Sequence, residues 1–86
     1  MVIKKKIWPE SFQAILDGKK KYELRLADWS CSPGDILVLA EWDPATTAYT
    51  GRVLEKTVTY VGRTMDVPYW PKEEIEKYGF QIISFS

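Results

Sequence analysis

The residues that could carry chemistry are concentrated in the segment GKKKYELR, residues 18–25, which contains Lys20, Glu23 and Arg25. An arginine guanidinium is a planar fork suited to a phosphate or a base edge. A neighbouring carboxylate can orient that fork or accept a hydrogen bond from an exocyclic amine such as cytosine N4. A lysine removed from water can act as a base or a nucleophile. These residue types could therefore bind a nucleotide or hydrolyse one.

The same residues also allow a simpler interpretation. Glu23 and Arg25 share one face of an extended strand, and an exposed pair of this kind contributes only ~0–1 kcal/mol. In an ideal strand Lys20 and Glu23 point to opposite faces. A shared site therefore requires Lys20 to lie in a turn after Gly18, or in a bulge.

The composition excludes several chemistries. The chain has no histidine and one cysteine, Cys31. Histidine-based triads, histidine–metal sites, cysteine-rich zinc sites and internal disulfides are therefore excluded. We predict no metal and no cofactor. Cys31 stands between two serines without a neighbouring base, which makes it a poor nucleophile.

Charge is unevenly distributed along a chain that is neutral overall. Residues 1–25 contain seven Lys or Arg and three acidic residues, a balance of +4, so the remainder carries −4. This asymmetry predicts one basic face. Lys4, Lys5 and Lys6 could contact phosphates and make binding salt-dependent, or they could be solvated charges at a sheet edge. If Lys5 or one of its neighbours points inward, it needs a partner.

Four tryptophans in 86 residues could serve the core or a ligand. Trp29 follows the motif in a loop, where it could stack on a base or cover the core. Tyr69 and Trp70 lie in a second loop, and Trp70 is predicted to be a core residue. Trp8 and Trp42 stand at strand ends and are also predicted to be core residues.

The chain length corresponds to one domain, residues 1–86. Pro9 suits the first position of a helix, Gly18 suits the left-handed residue that ends it, and an apolar stripe of Phe12, Ile15 and Leu16 lies between them. The predicted helices are 9–18 and 71–79, and the predicted strands are 2–8, 20–26, 35–42, 52–63 and 80–86. Segments 43–51 and 64–71 are predicted to be a hairpin connection and an irregular loop.

Strand 20–26 alternates, which predicts Tyr22, Leu24 and Leu26 toward the core, with a charged outer row formed by Lys21, Glu23 and Arg25. Segment 35–42 is nearly all apolar, as expected for a central strand. The predicted fold is α+β and mainly β. It is a small, mixed, partly closed β-barrel of about five strands with two short helices, in the order β-α-β-β-β-α-β.

The motif Gly18-x-Lys20-x-x-Glu23-x-Arg25 resembles the G-x-K-x-x-E-x-R signature of ASCH domains, which are named for homology to an activating signal cointegrator. The flanking segments KIWPESFQAILDG, SPGDILVLAEWDP and YTGR resemble a small prokaryotic and phage-type subfamily, and GFQIISF resembles the family's last strand. The resemblance extends over roughly residues 2–85.

This resemblance implies a PUA-like β-barrel with a cleft beside the motif strand, bordered by the preceding helix. The implied activity is recognition of RNA or a nucleotide, with Gly18, Lys20, Glu23, Arg25 and Trp29 at the binding site. Some ASCH proteins are enzymes, either N4-acetylcytidine amidohydrolases or ribonucleases.

The amidohydrolase branch uses the motif lysine, a threonine and a downstream glutamate. Lys20 matches the lysine, whereas Glu23 replaces the threonine. Glu55 is one possible counterpart of the downstream glutamate. Arg52 and Arg63 could also border the cleft.

Three functions therefore remain open from sequence. The first is an RNA- or nucleotide-binding module. The second is a metal-independent hydrolase in which Lys20 and Glu23 are catalytic. The third is a protein-interaction module whose motif only braces the barrel.

Membrane association and export are not predicted. No apolar run approaches the roughly 20 residues of a membrane span, and the N-terminus lacks the apolar region of a secretory signal. We therefore predict a cytoplasmic protein without a membrane partner. The sequence leaves the ligand's identity and the oligomeric state open.

Overall fold

The computed structural model describes residues 1–64, 71–77 and 79–86, and only the backbone of residues 74 and 75. The predicted order β-α-β-β-β-α-β is confirmed. The elements are β1 (Val2–Ile7), α1 (Pro9–Leu16), β2 (Tyr22–Leu26), β3 (Ile36–Asp43), β4 (Ala48–Arg63), α2 (Lys72–Ile75) and β5 (Phe80–Phe85). Helix α2 is a single turn, shorter than the predicted 71–79.

The strands form one mixed sheet in the order β1-β3-β4-β5-β2. Strand β1 is parallel to β3, and the other neighbours are antiparallel. The first part of β4 pairs with β3 and its last part with β5, with register shifts near Ala40 and Val58. The predicted α+β, mainly β class and the five strands are confirmed. Among the described residues, no backbone ladder joins the edge strands β1 and β2, so the sheet is not closed as a barrel.

The end of α1 determines where the motif begins. Gly18 has φ 74°. Its N–H donates to Ile15 O at 3.0 Å, and the Lys19 N–H donates to Ala14 O at 3.0 Å. These are the two hydrogen bonds of a left-handed helix end, as predicted for Gly18. The chain therefore turns back at Gly18, so that Lys20 lies beside the first turn of the helix.

The core lies between α1 and the inner face of the sheet. The apolar stripe of α1 is narrower than predicted, because Phe12 and Ile15 are buried but Leu16 is exposed. The buried cluster comprises Ile7, Phe12, Ile15, Cys31, Leu37, Leu39, Val58, Ile83 and Phe85. Burial, with the nearby Asp35 charge adding to it, raises the pKa of the Cys31 thiol. The predicted lack of nucleophilic character at Cys31 agrees with this position.

Strand β2 is inverted relative to the prediction. Glu23 is 5% exposed, whereas Tyr22, Leu24 and Leu26 are 43–53% exposed. Glu23 and Arg25, predicted to face outward, therefore face inward, and the apolar row faces outward; Lys21, which precedes the strand, is exposed as predicted. This orientation is possible because the inward polar side chains bind one another at the edge of the core.

The other differences concern loops and tryptophans. Strand β4 begins at Ala48, so the hairpin connection is confined to residues 44–47 rather than 43–51. Trp8 is exposed, so its assignment to the core is wrong, and Trp42 is only half-buried. The predicted loop 64–71, with Tyr69 and Trp70, falls mainly outside the described residues. Within those residues, no helix has the length and apolar character needed to span a membrane.

Candidate ligand-binding site

A cleft of about 400 Å³ opens between the end of β1, the first turn of α1 and strand β2. Its lining residues are Lys6, Ile7, Trp8, Glu10, Ser11, Lys20, Glu23, Leu24 and Arg25. Three of these are cations and two are carboxylates. The structure therefore brings together three of the predicted site residues, Lys20, Glu23 and Arg25. Gly18 and Trp29 are not among the described residues that line the cleft.

Glu23 is the centre of the polar contacts in the cleft. Its Oε2 accepts a hydrogen bond from Arg25 Nε at 2.9 Å and lies 2.8 Å from Arg25 Nη2. Its Oε1 lies 3.6 Å from Lys20 Nζ. The paired contacts to one carboxylate fix the guanidinium plane. The two cations compensate a carboxylate that burial would otherwise destabilise.

Arg25 also bridges the two edges of the sheet. Its Nη2 donates to the backbone carbonyl oxygen of Lys6, on β1. Because β1 and β2 are the edge strands, this side-chain bond joins edges that no described backbone ladder joins. The cleft lies where the bridge holds the edges near each other.

Lys20 lies in the turn after Gly18, which is one of the two arrangements that a shared site with Glu23 required. Its Nζ donates to Ser11 Oγ at 3.0 Å and lies 5.3 Å from the centroid of the Tyr22 ring. The lysine therefore connects the motif to α1. It also places a serine hydroxyl beside a lysine nitrogen.

Sequence reasoning missed Ser11 and Glu10, which line the cleft from the first turn of α1. The available signal was that the cleft of ASCH domains is bordered by the helix before the motif, and the polar residues of that helix were not considered. Glu55, the predicted downstream carboxylate, is exposed on β4 and is not among the cleft residues. The second carboxylate of the cleft is Glu10.

Trp29 covers the core and does not face the cleft. It is half-buried against the core cluster, and Lys5 Nζ lies 4.2 Å from its ring centroid. Of the two alternatives for Trp29, the structure therefore shows the one in which it covers the core. The Trp29 ring is also the partner that the inward-pointing Lys5 requires. Among the described tryptophans, the one that lines the cleft is Trp8.

The two neighbouring lysines also lie over aromatic rings. Lys4 Nζ is 5.1 Å from the Tyr49 ring, and Lys6 Nζ is 4.2 Å from the Trp42 ring. Both lysines remain exposed on β1. Only Lys6 belongs to the cleft.

A second ion pair, between the buried Glu41 and the exposed Arg52, supports α1. Glu41 is buried and accepts hydrogen bonds from Arg52 Nε at 3.0 Å and Nη2 at 2.9 Å, and from the Thr50 hydroxyl. The same guanidinium donates to Gln13 Oε1 at 3.3 Å and lies 4.6 Å from the Phe12 ring. Arg52 therefore holds α1 against the β3–β4 hairpin. It does not border the cleft, contrary to one of the sequence alternatives.

Arg63 is also outside the cleft. It lies opposite Gln81 in the β4–β5 ladder, and its Nε is buried without a hydrogen-bond partner among the described residues. Gln81 Nε2 donates to the carbonyl oxygens of Leu26 at 3.4 Å and Trp29 at 3.2 Å. Gln81 thereby ties the loop after β2 to β5.

Acid should destabilise the protein through Glu41. Hydrogen bonds from Arg52 and then Thr50 lower the pKa of this carboxyl from 4.5 to about 2. In the unfolded chain, Glu41 therefore becomes protonated near its ordinary pKa of 4.5, whereas in the folded protein it becomes protonated only at about pH 2. The ionised Glu41 carboxylate therefore contributes its full share to the free energy of unfolding above the ordinary pKa, and this contribution is lost as the pH falls toward 2.

Urea unfolding at about pH 6 and about pH 3 measures this loss. In Glu41→Gln, we expect a smaller drop in unfolding free energy between the two pH values than in the wild type. Glu55→Gln, which changes an exposed carboxylate on β4, should retain the full drop. If the unfolding free energy fell equally in the wild type and in Glu41→Gln, Glu41 would not be the source of the acid sensitivity.

The comparisons with known proteins begin with a family model described as "Domain of unknown function (DUF3850)", which matches residues 3–71. This range includes all the described residues that line the cleft. The "Uncharacterized 12.9 kDa protein in GpA 3'region" of Escherichia phage P2 is 38% identical over 56 residues. The alignment covers 65% of this chain and 50% of the phage protein, so the chain spans about half the length of this relative.

A solved structure shares the whole fold. The crystal structure of hypothetical protein PH0355 aligns with a TM-score of 0.69 at 21% identity, covering 100% of this chain and 98% of that protein. At this identity the similarity establishes the fold and carries no information about the ligand.

Proposed function

The chain belongs to the DUF3850 family, and we propose that it is an ASCH-type module that binds RNA or a nucleotide in the cleft between α1 and β2. The observation that carries the proposal is the fixed orientation of Arg25. Glu23 holds its Nε and Nη2, while Nη1 has no hydrogen-bond partner among the described residues. A pre-oriented guanidinium with a spare donor is suited to a phosphate or a base edge.

The composition of the cleft also favours this ligand class. Its volume of about 400 Å³ falls in the range of small-molecule sites. Lys6, Lys20 and Arg25 outnumber the two carboxylates, which favours an anionic ligand. Trp8, which is 61% exposed, offers a ring on which a base could stack.

We further propose that the fold is PUA-like, with the barrel left open at the cleft. The strand order and the bridge from Arg25 to the β1 backbone support this assignment. The opening between the edge strands is then the ligand site, and Arg25 is both its bridge and its recognition residue.

Hydrolysis is the second candidate, because Ser11 supplies the hydroxyl that the motif lacks. Glu23 replaces the threonine of the amidohydrolase branch, but Ser11 Oγ lies 3.0 Å from Lys20 Nζ. Paired serine and lysine side chains serve as nucleophile and base in some hydrolases. Glu10 provides a further carboxylate on the same cleft.

A titration with short single-stranded RNAs and cytidine-type nucleosides, followed by amide chemical shifts, tests the binding proposal. Shifts should cluster at residues 6–11 and 18–25. If a polyanion contacts all three cleft cations, the logarithmic salt slope should be about −2. No shifts with any of these ligands would reject the proposal and leave a bracing role for the motif.

Turnover of N4-acetylcytidine, measured in the same samples, separates the two candidates. A binding module gives shifts without turnover. Turnover that is lost in both Lys20→Ala and Ser11→Ala, but retained in the neighbouring Gln13→Ala, would establish the hydrolase instead.

A further inference from the structure

The outward face of β2, β5 and the end of β4 has no charged residue. The strand registers place eight positions on it: Tyr22, Leu24, Leu26, Tyr60, Gly62, Phe80, Ile82 and Ser84. Six of these are large apolar side chains, each 43–67% exposed. In a chain that is 28% charged, this composition is unusual for a solvent-facing sheet. We call these eight positions the outer apolar face.

The outer apolar face is continuous across three strands. Leu24 lies opposite Ile82, and Leu26 lies opposite Phe80, in the β2–β5 ladder. On the other side of β5, Ile82 lies opposite Gly62. The Tyr60 ring reaches over Gly62, where an added Cβ would lie 3.8 Å from it. Ile82 is therefore at the centre of the face.

The outward side of the other half of the sheet differs. It carries Lys4 and Lys6 on β1 and Glu55 on β4. Both halves belong to the same sheet, so exposure to water alone does not explain the lack of charge on one of them. The outer apolar face has the composition of a buried surface.

The area of the face matches the requirement of a symmetric dimer. Six half-exposed apolar side chains present on the order of 600 Å², from typical side-chain areas. This is at the upper limit of the largest apolar patch on an ordinary monomer. Two copies packed through this face would bury about 1,200 Å², where specific protein interfaces begin.

We propose that the outer apolar face is a homodimer interface, in which a second copy of the chain packs its own outer apolar face on the first. None of the eight positions is charged, and the nearby Lys20 ammonium lies only over the Tyr22 ring at one corner. The face therefore does not select an oppositely charged partner, and two such faces are complementary to each other. A two-fold axis near Ile82 would bring the two faces together. Two apolar sheets then stack face to face, as in a β-sandwich.

This proposal is independent of the ligand. The paired side chains of Glu23 and Arg25 lie on the inward side of β2, and the outer apolar face lies on its outward side. Among the described residues, Leu24 belongs to both the cleft and the face, and Tyr22 of the face lies 5.3 Å from Lys20 Nζ of the cleft. Variants that test the dimer therefore avoid Leu24.

Light scattering coupled to size-exclusion chromatography, together with sedimentation equilibrium, tests the interface. At about 100 µM the wild type should have twice the chain mass of 10.0 kDa. Ile82→Glu should place two carboxylates near the axis and weaken dimerisation at least about tenfold. Tyr60→Lys, at the edge of the face, is a second variant that should weaken it.

Val53→Glu is the matched control. Val53 is 51% exposed, close to the 46% of Ile82, and it lies seven residues before Tyr60 on β4. It should remain a dimer. Circular dichroism and a thermal melt establish that each variant is folded. A monomeric wild type would overturn the proposal, because the face would then be free or covered by a different partner. A dimer unaffected by both Ile82→Glu and Tyr60→Lys would overturn it equally.

Discussion

Replacing Arg25 with alanine is expected to abolish ligand binding and also to lower the free energy of unfolding by about 2–3 kcal/mol. The Glu23 side chain is only 6% exposed, so the variant leaves a buried carboxylate with Lys20, 3.6 Å away, as its remaining cation. The expected loss is smaller than for a fully buried pair because the Arg25 side chain is 25% exposed. The bridge to the Lys6 carbonyl oxygen is lost as well.

Urea unfolding and the RNA titration, carried out on the same samples, measure the two effects. Arg25→Lys is the matched control, because it keeps the charge but loses the planar fork. It should lose most of the affinity and less of the stability. The double variant Glu23→Leu/Arg25→Leu removes both charges and should recover stability without recovering binding.

Two results would contradict this expectation. If Arg25→Ala kept its affinity, the cleft would not be the ligand site. If Arg25→Ala lost affinity but kept the wild-type unfolding free energy, the Glu23–Arg25 pair would be a surface pair of negligible strength.

Phe12→Ala should have the largest effect on stability, about 3–5 kcal/mol of the roughly 5–15 kcal/mol that a folded domain possesses. The Phe12 ring is 2% exposed and lies between the core and the Arg52 guanidinium. Its removal creates a cavity and takes away the surface on which Arg52 stacks. Because α1 forms one wall of the cleft, ligand affinity should fall along with stability.

Thermal and urea unfolding of Phe12→Ala and Phe12→Leu measure this effect. Leucine fills part of the cavity, so the Phe12→Leu variant should be clearly more stable than Phe12→Ala. Leu16→Ala, which truncates an exposed residue of the same helix, is the control and should change the unfolding free energy little. A loss below about 1 kcal/mol in Phe12→Ala would mean that α1 is not packed as described.

The order of the elements was predictable because its signals are local. Pro9 and Gly18 mark the beginning and the end of α1 because of their own backbone preferences. Gly18 has the left-handed conformation that its position predicted. The apolar run of β3 indicates an interior strand, and β3 lies between β1 and β4. The coarse fold therefore required no knowledge of tertiary contacts.

Which face of β2 points toward the core was not predictable in the same way. Alternation shows which residues share a face, but the side chains that are available as partners decide which face is buried. Glu23 and Arg25 satisfy each other, and Lys20 completes the group. Hydrophobicity alone predicts the opposite orientation.

The candidate site was predicted only where the motif specifies it. Lys20, Glu23 and Arg25 are neighbours in sequence, whereas Ser11 reaches Lys20 only because the chain reverses at Gly18. Trp29 was ambiguous because its partner, Lys5, is distant in sequence.

The Glu41–Arg52 pair could have been found from the sequence. The two residues lie near facing ends of two predicted strands joined by a hairpin, and a cross-strand pair of opposite charges is a common feature of hairpins. From the sequence, Arg52 was predicted only as a possible cleft residue. Its partner, Glu41, was not considered.

The inverted strand β2 has a consequence for folding. A slip of β2 by one residue along β5 would turn Leu24 and Leu26 toward the core and expose Glu23 and Arg25 to water. Within a single chain, burial of apolar surface favours that alternative, so the sequence is locally frustrated at this strand. The contacts of Glu23 and Arg25, and the fixed chain reversal at Gly18, favour the native pairing. The polar contacts of Glu23 and Arg25 thus select one of two competing strand registers.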